Sequence, residues 1–241
     1  MATSSLVNMY AILLIVNGLY YNGTIYVLFI IIFDKQINTT FKYLNIHNTI
    51  MKTTEFNDYL YRNNIHVFTI ADAAKIIGKP KAYTSLFLFR NKSLKRAERG
   101  IYYTKEATEY EIASNIVYPS YISLISALRF YNLTEQIPNI IYVVTTKRHK
   151  PIEDLNGYVV EFRNIKKERM FGYRKVDGAF VADPEKAVID MVYLNLFREY
   201  ADEVLEGGKI NLSTLSKYIA MSKVNTVKEY IDSMTNGQAI A

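Results

Sequence analysis

Residues 69–104 read TIADAAKIIGKPKAYTSLFLFRNKSLKRAERGIYYT, and this stretch contains the strongest structural signals of the 241-residue chain. Thr69 suits the N-cap of a helix, and the apolar residues that follow it recur at helical spacing. Gly78 can end that helix in the left-handed conformation, and Pro80 suits the first turn of the next helix. The stretch therefore predicts two short helices joined by a tight glycine turn, which is the helix-turn-helix arrangement.

The apolar residues of each predicted helix fall on one face, which is the face we expect to be buried. In a short helix before this stretch they are Phe56, Tyr59 and Leu60. In the second helix they are Ile70, Ala73, Ala74 and Ile77. In the third helix they are Ala82, Leu86 and Phe89. The third helix then turns Lys81, Tyr83, Thr84 and Ser85 outward, and Phe87 and Leu88 complicate that outer side.

Residues 92–104 predict a β-hairpin that is rich in cations. Leu94 and Ile101 can point inward from two short strands, and Gly100 lies at the turn. A basic hairpin directly after a helix-turn-helix is a wing, so residues 51–105 are predicted to form a winged helix-turn-helix domain.

The positive charge of the chain lies in the same segment. The chain has a formal net charge of +6, and residues 51–105 hold eleven basic and four acidic residues, a net +7. Residues 106–241 hold sixteen basic and eighteen acidic residues, a net −2. A basic block beside a slightly acidic one favours a polyanionic partner for the first, although a solvated basic face without a partner remains an alternative.

Duplex DNA is the polyanion that such a domain would bind. Outward residues of the third helix would enter the major groove, and the cations would neutralise backbone phosphates. The residues predicted to contact DNA are Lys79, Lys81, Tyr83, Thr84, Ser85, Arg90, Lys92, Lys95, Arg96 and Arg99.

Composition and motifs give little sign of catalysis. Cysteine is absent, which excludes disulfides, thiolate nucleophiles and cysteine-ligated metals, and the three histidines are far apart. No phosphate-binding glycine loop and no GxSxG elbow occurs. We therefore predict no enzyme activity, no catalytic residue, no metal site and no cofactor.

One group of carboxylates keeps a metal-dependent nuclease open as an alternative. Asp183, Glu185 and Asp190 could act with Lys186 around magnesium, but Glu185 and Asp190 are five residues apart and lie on different helix faces. Helix capping by Asp183, with solvated or internally paired roles for the other two, is the favoured interpretation.

The first 50 residues differ from the rest, and three interpretations stay open. Residues 9–33 are uncharged, strongly apolar and long enough for one membrane-spanning helix, with lysines following on the side expected to be cytoplasmic. Alternatively, the true start is Met51 and the preceding segment is an upstream extension, or the segment is a buried element. We expect a cytoplasmic protein, or a membrane-anchored one with cytoplasmic C-terminal domains if residues 9–33 are translated.

The remaining residues, 106–241, predict a mixed α+β domain with a helical C-terminal tail. A helix is predicted to start near residue 120, and a long helix to run from Asp183 to Gly207. The predicted strands are 140–145, 157–162, 169–173 and 179–182, and two further helices are predicted over roughly 211–221 and 223–233. The fold class predicted for the whole chain is α+β.

The order of four segments resembles a known family. RGIYYT, PSYISLISAL, IYVVTTKR and VADPEKAVIDMVY follow one another as in the AbiEi-type antitoxins, which are type IV toxin–antitoxin transcriptional regulators of abortive-infection systems. The resemblance covers about residues 53–232, and the extension at 1–50 and Phe87-Leu88 depart from it. It points to Lys79, Lys81, Tyr83 and Thr84 on the third helix and to Lys95, Arg96 and Arg99 on the wing.

What the resemblance implies is a regulator with two roles. The N-terminal domain would repress its own operon by binding operator DNA, and the C-terminal domain would act as an antitoxin. The toxin would be a neighbouring nucleotidyltransferase, countered without a tight complex. From the residues, two copies are expected on inverted repeats, with self-association on DNA. The alternative is a membrane-tethered or protein-binding winged-helix adaptor without enzymatic activity.

Overall fold

The structure is a computed structural model that describes residues 14–21, 24–30, 42–44, 51–135 and 139–238. Its architecture is α+β, as the sequence predicts. The chain divides into two compact units, Met1–Phe56 and Asn57–Ala241.

The first unit contains a small antiparallel sheet. Its strands are β1 (Leu14–Tyr21), β2 (Thr24–Ile30) and β3 (Lys42–Leu44), in the spatial order β1-β2-β3. The interpretation of residues 9–33 as one membrane-spanning helix is therefore wrong for the described part of that segment. Two Asn-Gly dipeptides interrupt a run rich in β-branched and aromatic residues, a composition that favours paired strands. Across the described ranges, no helix combines the length and the apolar character needed to cross a bilayer.

The basic segment forms a helical cluster with a three-stranded sheet. Its helices are α1 (Thr53–Arg62), α2 (Ile70–Ile77) and α3 (Lys81–Arg90), and its strands are β4 (Val67–Thr69), β5 (Lys95–Glu98) and β6 (Ile101–Tyr103). The central strand is β6, antiparallel to both β4 and β5. This order and pairing are compatible with the predicted winged helix-turn-helix.

The rest of the second unit is built on a mixed six-stranded sheet with the spatial order β11-β12-β7-β8-β10-β9. The strands are β7 (Ser120–Ile122), β8 (Ile140–Thr145), β9 (Ile152–Leu155), β10 (Tyr158–Asn164), β11 (Tyr173–Val176) and β12 (Ala179–Ala182). Two neighbouring pairs, β7 with β12 and β8 with β10, are parallel, and the other pairs are antiparallel.

Helices cover this sheet and form the C-terminal part of the chain. They are α4 (Glu109–Ile116), α5 (Leu124–Phe130), α6 (Pro184–Leu194), α7 (Arg198–Glu206), α8 (Leu212–Ser222) and α9 (Asn225–Gln238), with a 3-10 turn at Lys167–Arg169. The core lies between α6 and the sheet and is lined by fully buried residues such as Tyr121, Ile141 and Met191. Tyr103 of β6 is buried in the same apolar cluster, so the boundary predicted at residue 105 falls inside a continuous core.

Several predicted elements are confirmed and several are corrected. The predicted strands at 140–145 and 179–182 match β8 and β12. The helix predicted near residue 120 is wrong at its start, because Ser120–Ile122 is a buried strand and α5 begins only at Leu124. The strand predicted at 169–173 is displaced, since β11 begins at Tyr173. The single long helix after Asp183 is wrong as well.

The break in that long helix has a local cause. Asn195 and Phe197 both have left-handed backbone conformations, with φ of 55° and 56°. Left-handed residues end an α-helix and turn the chain. The segment therefore forms α6 and α7 as separate helices, so that Ala201 and Val204 of α7 can pack into the core beside α6.

Candidate nucleic-acid interface

Local capping fixes where α2 begins and ends. Thr69 Oγ1 accepts a hydrogen bond from the Asp72 amide at 3.2 Å, and the Thr69 amide donates to Asp72 Oδ2 at 3.1 Å. This reciprocal pair is a capping box. Gly78 ends the helix with φ of 67°, a conformation that is costly for residues with a Cβ. The predicted N-cap and glycine turn are confirmed, and α3 follows after a short connection.

The buried side of α3 differs from the prediction. Thr84, Phe87 and Leu88 are buried, and Thr84 is 0% exposed. The Thr84 hydroxyl donates to the carbonyl oxygens of Lys79 and Pro80, at 3.3 and 3.1 Å. Thr84 therefore holds the turn before α3 together, and its placement among the DNA-contacting residues is wrong.

Two interleaved sets of residues in α3 explain why the buried side was predicted wrongly. Positions 82, 86 and 89 and positions 84, 87 and 88 both follow helical spacing, so the sequence pattern does not choose between them. Packing in the folded chain buries the second stripe. As a result Ala82, Leu86 and Phe89, predicted to be inside, are exposed.

Most of the predicted contact residues do lie at the surface. The exposed ones are Lys81, Tyr83, Ser85, Arg90, Lys92, Lys95, Arg96 and Arg99. Lys79 is half-buried in the turn. Without Thr84, the candidate interface consists of exposed residues on α3 and on the β5–β6 hairpin that follows it.

The exposed cations of this surface take no part in the ion pairs of the described residues. Across the part of the chain that the structure describes, six of them form no ion pair with a carboxylate. The six are Lys81, Arg90, Lys92, Lys95, Arg96 and Arg99. Such cations remain available to phosphate groups, since no acid within the described ranges pairs with them.

The hairpin is anchored at its turn and along β5. The Gly100 carbonyl accepts a hydrogen bond from the Ile70 amide at 2.8 Å, which joins the turn to the first residue of α2. Gly100 has φ of 83°, a conformation suited to glycine in a tight turn. On β5, Glu98 Oε2 lies 3.1 Å from His149 Nε2. The hairpin thus contacts both α2 and the loop between β8 and β9.

Sequence reasoning missed the two histidine–carboxylate contacts that join the basic segment to the rest of the unit. His149 packs on Phe162 with ring centroids 4.4 Å apart while it contacts Glu98. His66, just before β4, has its Nδ1 at 3.0 Å from Glu111 Oε2 on α4. These partners are distant in sequence, and no local pattern marks them.

The carboxylates considered for a nuclease each have protein partners. Asp183 accepts a hydrogen bond from Tyr218 and pairs with Arg174 at 3.2 Å. Glu185 Oε1 accepts from the Asn211 amide at 2.7 Å. Within the described ranges, no three His, Asp or Glu side chains come together in a way that could hold a metal ion.

Asp190 is the most deeply buried of the three. It accepts hydrogen bonds from Tyr121 Oη at 3.0 Å and Ser123 Oγ at 2.8 Å, and it pairs with Lys186. Burial, followed by the nearby negative charge of Asp190, raises the pKa of Tyr121 well above its usual value. The predicted internal pairing of Asp190 is confirmed. The side-chain capping role of Asp183 is not, because its carboxylate points to Tyr218 and Arg174.

No protein-family model matches the chain, and no curated protein matches it in sequence. The resemblance to AbiEi-type antitoxins therefore stays a prediction.

Proposed function

We propose that this chain is a cytoplasmic DNA-binding transcriptional repressor whose residues 51–105 act as a winged helix-turn-helix. It would bind an operator of inverted repeats as two copies. As the resemblance implies, the operon would encode a type IV toxin–antitoxin pair, with this chain as the antitoxin. We propose no catalytic role for it.

The observation that carries the proposal is the set of unpaired cations. Lys81 and Arg90 lie at the two ends of α3, and Lys95, Arg96 and Arg99 line the hairpin. Across the described ranges none of them has a carboxylate partner. A surface with this charge attracts a polyanion, and its release of counterions makes binding dependent on salt.

A second observation supports duplex DNA as that polyanion. The α2-turn-α3 unit, with α3 exposed on one long side, has the elements that helix-turn-helix proteins use to enter a major groove. Gly78 turns the chain between α2 and α3, and the Thr84 hydroxyl ties α3 to the Lys79 and Pro80 carbonyls of that turn. These bonds give the start of α3 a defined orientation, and the major groove of B-DNA admits an α-helix.

The DNA-binding test measures affinity against salt. The probe is a duplex carrying the DNA immediately upstream of the chain's own reading frame, followed by fluorescence anisotropy. With about six phosphate contacts, affinity should fall about 10³-fold between about 50 and 200 mM salt. A variant with Lys95, Arg96 and Arg99 replaced by alanine should reduce the slope of log affinity against log salt by about 3.

A matched control separates this surface from net charge alone. Replacing Lys209, Lys217 and Lys228 by alanine removes the same charge from exposed positions on the C-terminal part of the chain. That control should keep the wild-type slope. Equal slopes for the hairpin and control variants, or no binding at low salt, would refute the proposal.

The antitoxin role requires a separate experiment. The neighbouring reading frame would be expressed with and without this chain, and growth would be measured. Growth arrest by a nucleotidyltransferase neighbour, relieved by this chain, would support the role. If there is no such neighbour, or if growth arrest persists when this chain is present, the antitoxin assignment would be refuted. The DNA-binding proposal would be unaffected by that result.

A protein-binding adaptor is the second candidate, and one observation favours it. Leu86 and Phe89 on α3 are exposed apolar residues, 49% and 84% accessible. Exposed apolar side chains grouped on one helix are typical of protein contacts. A stable complex with a protein and no retention of DNA on a gel would favour the adaptor.

A further inference from the structure

The outward side of α3 has an apolar centre. Ala82, Leu86 and Phe89 are exposed and lie at i, i+4 and i+7, so they form one stripe along the helix. Phe89 is 84% accessible. The buried stripe of Thr84, Phe87 and Leu88 anchors the opposite side of the helix. The exposed stripe is thus presented to solvent on a fixed scaffold.

Within α3 itself, cations flank this apolar stripe and no acid occurs. The α3 sequence KAYTSLFLFR contains no Asp or Glu, and Lys81 and Arg90 stand at its two ends, followed by Lys92. A matching partner would be apolar in the middle and negative at its rims. Lysine is depleted at protein interfaces, and cations on either side of an apolar centre suit the phosphate rims of a nucleic-acid groove, so we take a nucleic acid as the partner.

The major groove of B-DNA fits this description. It is about 12 Å wide and admits a helix, its rims are phosphates, and its floor offers one apolar group, the 5-methyl group of thymine. The centre of the exposed α3 side offers no Asn or Gln for a bidentate bond to adenine. Sequence preference from this stripe would then come from contacts with methyl groups.

We infer that α3 recognises thymine through its 5-methyl group, with Leu86 and Phe89 as the contacting residues. This inference rests on the proposed DNA binding and adds the base that the helix prefers. It makes these two residues determinants of specificity, whereas the hairpin cations supply affinity for any sequence.

The test removes only the methyl groups from the DNA. The probes are a duplex of alternating dA and dT and the same duplex with dU in place of dT, each closed by a G·C hairpin. Wild-type protein should bind the dT duplex about tenfold more tightly, because two side chains would each lose a buried methyl contact. A duplex with 5-methylcytosine should likewise bind more tightly than its unmethylated counterpart.

Variants assign the effect to α3. Replacing Leu86 and Phe89 together by alanine should bring the ratio of dT to dU affinity close to one, while the circular dichroism melting temperature stays unchanged. Tyr61→Ala, at an apolar side chain that is 79% exposed on α1, should keep the wild-type ratio. The triple hairpin variant should weaken binding to both duplexes equally and preserve the ratio.

The possible failures are distinguishable. Absence of binding to either duplex at low salt would overturn the DNA-binding proposal and this inference together. Binding with equal affinity for dT and dU duplexes would overturn the inference alone. A change in oligomeric state by light scattering for the Leu86 and Phe89 variant, with an unchanged ratio of dT to dU affinity, would assign the stripe to a second copy of the chain and also overturn it.

Discussion

The Lys186 ammonium and the Asp190 carboxylate form an ion pair one turn apart on α6, and each side chain is only 1% exposed. Tyr121 and Ser123 donate hydrogen bonds to the other carboxylate oxygen. The Lys186 ammonium also lies 4.7 Å from the centre of the Phe171 ring. The pair is thus fully partnered in the core, and it joins α6 to the strand and loop that precede α5.

Removing one member of this pair should be severely destabilising. Asp190→Ala leaves the Lys186 charge buried without its partner, so we expect the free energy of unfolding to fall by about 3–5 kcal/mol. Urea denaturation followed by circular dichroism measures the change. Glu203→Ala, at an exposed carboxylate on α7, is the control and should stay within about 0.5 kcal/mol of wild type. A loss at position 190 no larger than at 203 would contradict the buried pair.

The orientation of α3 can be tested without DNA. Thr84→Val keeps the shape of the side chain and removes the hydroxyl that bonds the Lys79 and Pro80 carbonyls. We expect a loss of about 1 kcal/mol in the free energy of unfolding. Ser85→Ala, one residue along on the exposed side, should change it by less than about 0.5 kcal/mol. The opposite ranking would mean that α3 is rotated as the sequence pattern first predicted.

Replacing Gly78, in the turn before α3, by a residue with a side chain should lower the stability of the fold. Gly78 has φ of 67°, and no atom lies within 4 Å of where a Cβ would stand. The cost of Gly78→Ala is therefore conformational, about 1 kcal/mol, as measured by thermal or urea unfolding. Gly78→Asn should cost less, since asparagine adopts the left-handed conformation more readily. Equal stability of the alanine variant and wild type would contradict this turn.

Alkaline titration should reveal the raised pKa of the Tyr218 phenol. Burial, then the hydrogen bond to Asp183, raises the pKa of Tyr218 to about 12 from 10.0. The neutral phenol is favoured in the folded state. Its stabilising contribution is therefore complete below pH 10 and is lost as the pH rises through about 12. Tyrosinate absorbance, compared between wild type and Tyr218→Phe, isolates this titration.

A matched carboxylate provides the control for that titration. Asp183→Asn should lower the Tyr218 pKa, because it removes the negative charge beside the phenol. Tyr230, whose pKa is also raised to about 12 by burial and by Asp202, should be unaffected. Asp202→Asn should lower the pKa of Tyr230 and leave the pKa of Tyr218 unchanged. A Tyr218 pKa that does not move in Asp183→Asn would show that the charge plays no part.

The contact between His149 and Glu98 should restrain the hairpin. Among the described strands, β5 is at the edge of its sheet and pairs with β6, and the contact of the Glu98 side chain with His149 at 3.1 Å adds a second restraint. His149→Ala should increase hydrogen exchange at the β5 amides and leave β4 unchanged. Lys150→Ala, at an exposed neighbouring side chain, should have no such effect. Unchanged exchange in the His149 variant would refute the restraint.

Local signals were sufficient wherever one short stretch decides the structure. The Thr69 cap, the Gly78 turn and the hairpin around Gly100 were predictable, because each depends on the conformational preferences of a few adjacent residues. The α+β class and strands β8 and β12 followed from apolar runs bounded by turn residues. The candidate cations were likewise visible as a concentration of charge in one segment.

Local signals failed wherever two patterns competed. The helical spacing of Tyr121, Leu124, Ile125 and Leu128 predicted a helix, yet Ser120–Ile122 pairs as a strand between β8 and β12. Every side chain of that strand is buried, so neither alternation nor polarity marks it as a strand. The same ambiguity made the predicted orientation of α3 wrong, with Thr84 expected outside and Phe89 expected inside.

By itself the sequence determined the boundaries of α2, the turn that follows it, the basic hairpin and the position of the charge, because these depend on neighbouring residues and composition. Only the tertiary structure decided which side of α3 is buried, which acids are already partnered, and which cations of the described ranges have no carboxylate partner. Those outcomes depend on packing and electrostatic contacts between residues far apart in the chain, such as Glu98 with His149 and Asp190 with Tyr121. The exposed stripe of Leu86 and Phe89, on which base recognition is proposed to rest, is a result of that packing.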